Sequence, residues 1–148
     1  MAIDYGIVPV SLEGFQVVRS KYFVRQAEPI MTLFKSAVSF NVAAYEALNR
    51  CESVIIMVNE KEKSFLVKPS ASKEGDAIRW VKGKEKPKIA RIECTAFAKQ
   101  IFKMWELNDE YRYRAVGRLV QAEKKIMLLF DFKECEAWDG AKIMKENG

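Results

Sequence analysis

Apolar residues recur along this chain at two periods, and the same order of periods is met twice. From Ile30 to Phe40 the pattern alternates. Thr32, Phe34, Ser36, Val38 and Phe40 share one face, and Met31, Leu33, Lys35, Ala37 and Ser39 share the other. Apolar side chains on both faces predict a strand covered on both sides, or one shared between intertwined units. Asn41 then stands where a helix N-cap accepts free backbone N–H groups, with Val42, Tyr45 and Leu48 at helical spacing and Asn49-Arg50 as a stop. Ser53–Val58 and Ser64–Lys68 flank the polar run Asn59–Lys63, which predicts a hairpin.

A strand, a helix and a hairpin follow again from Arg91. Thr95 is the expected cap, and Phe97, Ile101, Met104 and Trp105 form the apolar stripe. Tyr111–Val120 alternates, with Tyr111, Tyr113, Ala115, Gly117 and Leu119 expected inward. Ile126–Phe132 returns after the polar turn Gln121–Lys125. Asn41 and Thr95 are 54 residues apart, as are Leu48 and Phe102. The pattern therefore predicts an α+β protein made of a duplicated β-α-β-β unit with a mostly antiparallel sheet. Residues 1–30 read as an N-terminal arm with a first strand at Gly14–Arg19, and 31–70 as the first repeat. Residues 71–88 read as a basic linker with an extra strand near Ala77–Val81, 89–132 as the second repeat, and 133–148 as a loosely packed tail.

At 148 residues, two such halves are each too small to stand alone and are expected to pack on one another or on a second copy. No apolar run is long enough to span a bilayer, and Met1–Val10 has no basic flank, so neither a membrane span nor a signal peptide is expected. Cys51, Cys94 and Cys135 form no CxxC pair, and the chain has no histidine. That pattern fits reduced cysteines in the cytoplasm, and it removes the commonest general base and zinc ligand. The glycines assemble no phosphate-binding loop. No enzyme activity, cofactor or metal is expected.

Charge changes the picture most. The net charge is +5, and the stretch from Lys68 to Arg91 holds eight basic against three acidic residues, leaving 17 of each sign elsewhere. Arg79, Lys82, Lys84, Lys86 and Lys88 make that stretch a focused positive field suited to a polyanion, the alternative for the Lys82–Lys88 run being an ordinary solvent-exposed charged linker. Arg112, Arg114 and Arg118 fall on one face of the second alternating strand, where three guanidinium forks can bridge phosphates or reach base edges. The alternative is a solvated face whose arginines pair with Glu110, Glu123 or Asp131. Trp80, inside the basic stretch, is read either as a stacking group or as core; Trp138 is read as an anchor for the tail.

The run Met31–Asn41, through Leu48 to Val67-Lys68, resembles the swapped-hairpin module of the AbrB, SpoVT and MraZ transcription regulators. Val38-Ser39-Phe40-Asn41 stands where those modules have an I-x-I-P-like step, Leu48 ends the helix, and Val54–Val58 is the next strand. Arg91–Phe132 is similar, and MraZ proteins carry two such units. Asn41 and Thr95 replace the family's proline, and no Asp-x-x-x-Arg signature occurs, so the family's DNA contacts have no counterparts to assign. The resemblance implies a swapped-hairpin-like pseudo-dimer, homo-oligomerisation and double-stranded DNA as partner. The expectation is a DNA-binding transcriptional regulator using Arg112, Arg114 and Arg118 with Arg79, Lys82, Lys84, Lys86 and Lys88. The competing expectation is a non-enzymatic protein-interaction or assembly module.

Overall fold

The alternation from Ile30 to Phe40 is two strands rather than one. In the computed structural model, which describes residues 8–18, 28–71, 74–83, 88–140 and 142–146, β1 (Ile30–Leu33) and β2 (Ala37–Phe40) form an antiparallel pair. Phe34 and Ala37 exchange backbone hydrogen bonds of 2.8 and 3.4 Å around the Lys35-Ser36 turn. Met31 and Leu33 are buried in β1, Val38 and Phe40 in β2. The inward parity therefore slips by one residue across the turn, and that slip put apolar residues on both faces of the supposed single strand.

Asn41 ties this hairpin to the first helix, α1 (Val42–Ala47). Its Oδ1 accepts from the backbone N–H of Ala44 at 3.1 Å, the expected cap, and also from that of Ile30 at 2.9 Å. Its Nδ2 donates to the Glu28 carbonyl at 2.7 Å. Tyr45 and Leu48 face inward as expected, whereas Val42 is exposed and Ala44 takes the buried position instead. Asn49 and Arg50 end the helix in the left-handed region, at φ 55° and 56°.

β3 (Ser53–Asn59) and β4 (Ser64–Ser70) form the expected hairpin. The segment that follows crosses to the other side as β5 (Ile78–Arg79), β6 (Val81–Lys82), β7 (Lys88–Ile89) and β8 (Ile92–Glu93). β5 pairs with β3 and β8 with β2, while β6 and β7 pair only with each other. α2 (Thr95–Met104) buries Ala98, Ile101 and Phe102. Its N-cap is Cys94, not Thr95, and no side chain caps it; Phe97 and Met104 are less buried than their stripe implied. β9 (Arg112–Ala122) and β10 (Lys125–Asp131) form the last long hairpin, followed by β11 (Glu136–Asp139) and β12 (Lys142–Glu146).

The main sheet has the order β5-β3-β4-β10-β9-β1-β2-β8, with β11 paired to β9 and β12 to β11. It curls into a half-barrel of mostly antiparallel strands, and the two helices lie against its core face. The fold is α+β. Two further sequence expectations change. The described part of Gly14–Arg19 is exposed and forms no strand, while Arg19 lies outside the described residues. The tail expected to be loose supplies β11 and β12, with Cys135 and Ala137 buried; short alternation among charged residues hid those strands.

Trp80 sits between β5 and β6, fully buried. Its backbone N–H donates to the Glu52 carbonyl at 3.2 Å, its carbonyl accepts from Ala90 at 2.9 Å, and its indole N–H donates to the Cys51 carbonyl at 2.7 Å. The ring meets Phe40 edge-on at 5.3 Å and Tyr45 at 6.3 Å. The core reading of Trp80 holds, and a base cannot stack on it. Gly117 faces Phe130 across the β9–β10 pair, where a Cβ would come 2.5 Å from the ring.

We expect Gly117→Ala to destabilise by about 1–3 kcal/mol, because a rigid ring in a packed core has little room to yield. Phe130→Leu should soften that clash, so the double substitution should cost less than the two single costs added together. Urea denaturation midpoints of the three variants measure this coupling. The β9–β10 turn holds Glu123 at φ 50° and Lys124 at φ 66°, a region costly for side chains. Lys124→Gly should therefore raise stability by about 1 kcal/mol in a thermal melt.

Candidate nucleic-acid interface

β9 places Arg112, Arg114 and Arg118 on its outer face, as its alternation predicts, because Ala115 and Gly117 between them point into the core. Arg112 and Arg114 are half-buried and Arg118 is exposed. β11 runs beside the start of β9, with Trp138 opposite Arg112 and Glu136 opposite Arg114. The two guanidinium carbons stand over the Trp138 ring, at 5.8 Å for Arg112 and 4.8 Å for Arg114. Stacking on an aromatic face restricts a long side chain while leaving its N–H fork able to donate outward. None of the described ion pairs involves these three arginines. Pairing with Glu110, Glu123 or Asp131 is therefore not what holds them. Leu119, expected inward, is instead exposed near the hairpin end.

The remaining basic residues are placed elsewhere. Arg79 lies on β5, at one end of the strand order, with β3, β4 and β10 between it and β9. Its Nη1 is 3.1 Å from Glu52 and its Nε donates to the Val81 carbonyl. Lys82 and Lys88 are exposed and directly opposite one another across the β6–β7 pair. Lys84 and Lys86 lie outside the described residues. The structure thus brings three of the eight onto one strand and two onto a small separate ribbon.

Sequence reasoning did not select Phe34, Lys35 or Arg91, which meet the arginine row at one end. Arg91 stands 4.3 Å over the Phe34 ring and pairs with Glu93 at 3.1 Å. Phe34, Arg91, Arg112 and Trp138 all line an open cleft of about 560 Å³. The signal was present in the parity of β11, where buried Cys135 and Ala137 imply that Trp138 turns outward toward β9.

Two further cavities are present, the first sharing Tyr111 with the cleft. One of about 490 Å³ is lined by Trp105, Tyr111, Tyr113, Lys63 and Lys133. Near it, Lys133 Nζ donates to Glu62 at 2.8 Å, which holds the Glu62 carboxyl below its usual range and raises the lysine. The other, of about 260 Å³, is apolar and includes Phe65, Phe97 and the Cys94 thiol. Among the described residues no three His, Cys, Asp or Glu side chains converge as metal ligands, and no helix is long and apolar enough to cross a membrane. No protein-family profile, curated protein or solved structure matches this chain.

Burial pushes the Cys51 thiol up, and burial followed by the nearby Glu93 charge does the same to Cys94. A raised thiol holds less thiolate at neutral pH, and thiolate is the reacting species. At pH 8, iodoacetamide should label Cys51 and Cys94 more slowly than free cysteine, with the rate climbing above the ordinary thiol range. Peptide mass spectrometry over a pH series checks this.

Proposed function

We propose that this protein binds double-stranded DNA through the outer face of β9 and acts as a cytoplasmic transcriptional regulator. The observation that carries this reading is the row of Arg112, Arg114 and Arg118. Two of the three are pre-set against Trp138, and none forms one of the described ion pairs. Alternate strand residues are spaced about 7 Å apart. Arginine forks at one such repeat (Arg112 to Arg114) and at two (Arg114 to Arg118) suit phosphates along a strand and the acceptor edge of guanine. Lys82 and Lys88, side by side on the β6–β7 ribbon, add backbone charge without sequence choice.

The reading includes a duplicated β-α-β-β unit related by a pseudo-twofold axis. Two features favour it. The order strand, helix, hairpin occurs as β2-α1-β3-β4 and as β8-α2-β9-β10. Two antiparallel pairs, β2 with β8 and β4 with β10, join corresponding strands, and Val38 meets Ile92 at the 54-residue spacing of the sequence repeat. A swapped-hairpin-like pseudo-dimer places corresponding strands in this way, and two-fold symmetry suits near-palindromic sites.

A second reading, a protein-interaction or assembly module that forms homo-oligomers, is favoured by exposed apolar surface. Leu119 (55% exposed) and Ile126 (50%) share one face near the tip of the β9–β10 hairpin, and Val116 (50%) lies on the other face of β9. Val8, Val10, Leu12, Phe15 and Val17 are exposed as well.

Fluorescence anisotropy against a random 20-base-pair duplex at two salt concentrations separates the readings. DNA binding predicts a steep loss of affinity with salt, and Arg112→Ala, Arg114→Ala and Arg118→Ala should each reduce the slope by about 1. A defined oligomer by light scattering that ignores DNA at low salt supports the assembly reading instead.

A further inference from the structure

The cleft at the end of the arginine row has a lining unlike that of a phosphate site. Lys35, Arg91 and Arg112 contribute three positive charges, but Asp109, Glu110 and Asp139 contribute three negative ones. A locally neutral wall has little attraction for a bare phosphate. What the cleft offers is two aromatic rings, Phe34 and Trp138, each carrying an arginine at cation–π distance, with hydrogen-bond donors and acceptors interspersed around them.

This combination matches one chemical class. A nucleobase has a flat π face for stacking, ring and carbonyl acceptors for arginine and lysine N–H groups, and exocyclic amines for carboxylates. Within a duplex those faces are covered by neighbouring bases, so only an unpaired nucleotide presents them. We infer that the Phe34–Trp138 cleft takes an unpaired nucleobase from a single-stranded segment. The inference rests on the proposed DNA binding and deepens it: Arg114 and Arg118, farther along β9, track the backbone that leads the base in.

The test compares a 15-nucleotide single strand (oligo-dT, then oligo-dA) with a duplex of equal length, by anisotropy at fixed salt. Oligonucleotide quenching of tryptophan emission gives a second readout. Trp80 and Trp105 are buried, so a bound base should quench chiefly Trp138. The full chain should bind single strands with quenching. Phe34→Leu and Trp138→Ala should each lower the ratio of single-strand to duplex affinity by about fivefold or more, and Trp138→Phe should restore most of it. Circular dichroism and thermal melts confirm that the variants fold.

Duplex binding without single-strand binding overturns this inference alone. So do variants that weaken single-strand and duplex binding equally. Absence of binding to either form overturns the proposed function together with it.

Discussion

Phe65 and Phe130 face each other across the β4–β10 pair, both fully buried, and the rest of the molecule is arranged around that contact. Each belongs to a different hairpin, and neither hairpin alone has a second layer to cover its apolar face. From Phe65 the aromatic contacts run to Phe97, Trp105 and Phe132, at 6.1, 5.4 and 5.6 Å. From Phe130 they run to Phe40 at 5.6 Å, and from Phe40 to Trp80. The first group packs under α2 and the second under α1. The β4–β10 pairing therefore joins two clusters into one core, and Gly117 is small because Phe130 fills the space above it.

The same constraint decides what is left outside. With the core face of β9 committed to Ala115 and Gly117, the intervening residues have only the outer face to occupy. Arg112, Arg114 and Arg118 are held in line by packing on the opposite side of the strand, and Trp138 adds a lateral wall. Side chains carried on a strand that is buried beneath are held more stiffly than side chains on a loop. The positive segment from Lys68 to Arg91 has a more divided fate. Trp80 pulls it into the core, Glu52 pairs with Arg79, and Glu93 pairs with Arg91, leaving Lys82 and Lys88 displayed.

Local rules made much of this legible. The cap at Asn41, the inward Tyr45 and Leu48, the Asn59–Lys63 hairpin and the arginine alternation of β9 all follow from spacing over a few residues. Most of the misses depend on partners remote in sequence, and one on a local turn. The break at Lys35-Ser36 is invisible to a period-2 pattern unless the slip of parity is noticed. Val42 is exposed because α1 leans on Ala44 and Tyr45 under Trp80, a residue far down the chain. The strands of the tail are short and charged, and they exist because β9 offers them an edge. The cleft required three such misses to be corrected together, as Phe34, Arg91 and Trp138 come from three separate segments.

Asn41 couples elements that spacing alone treats as independent. One amide group serves the Ala44 N–H in the first turn of α1, the N–H that opens β1, and the Glu28 carbonyl before it. Neither the β1 terminus nor the first helical turn can fray without stranding a partner of the other. In hydrogen-exchange terms, the two should open as a single foldon, with amides at residues 30 and 44 sharing one protection free energy although fourteen positions separate them.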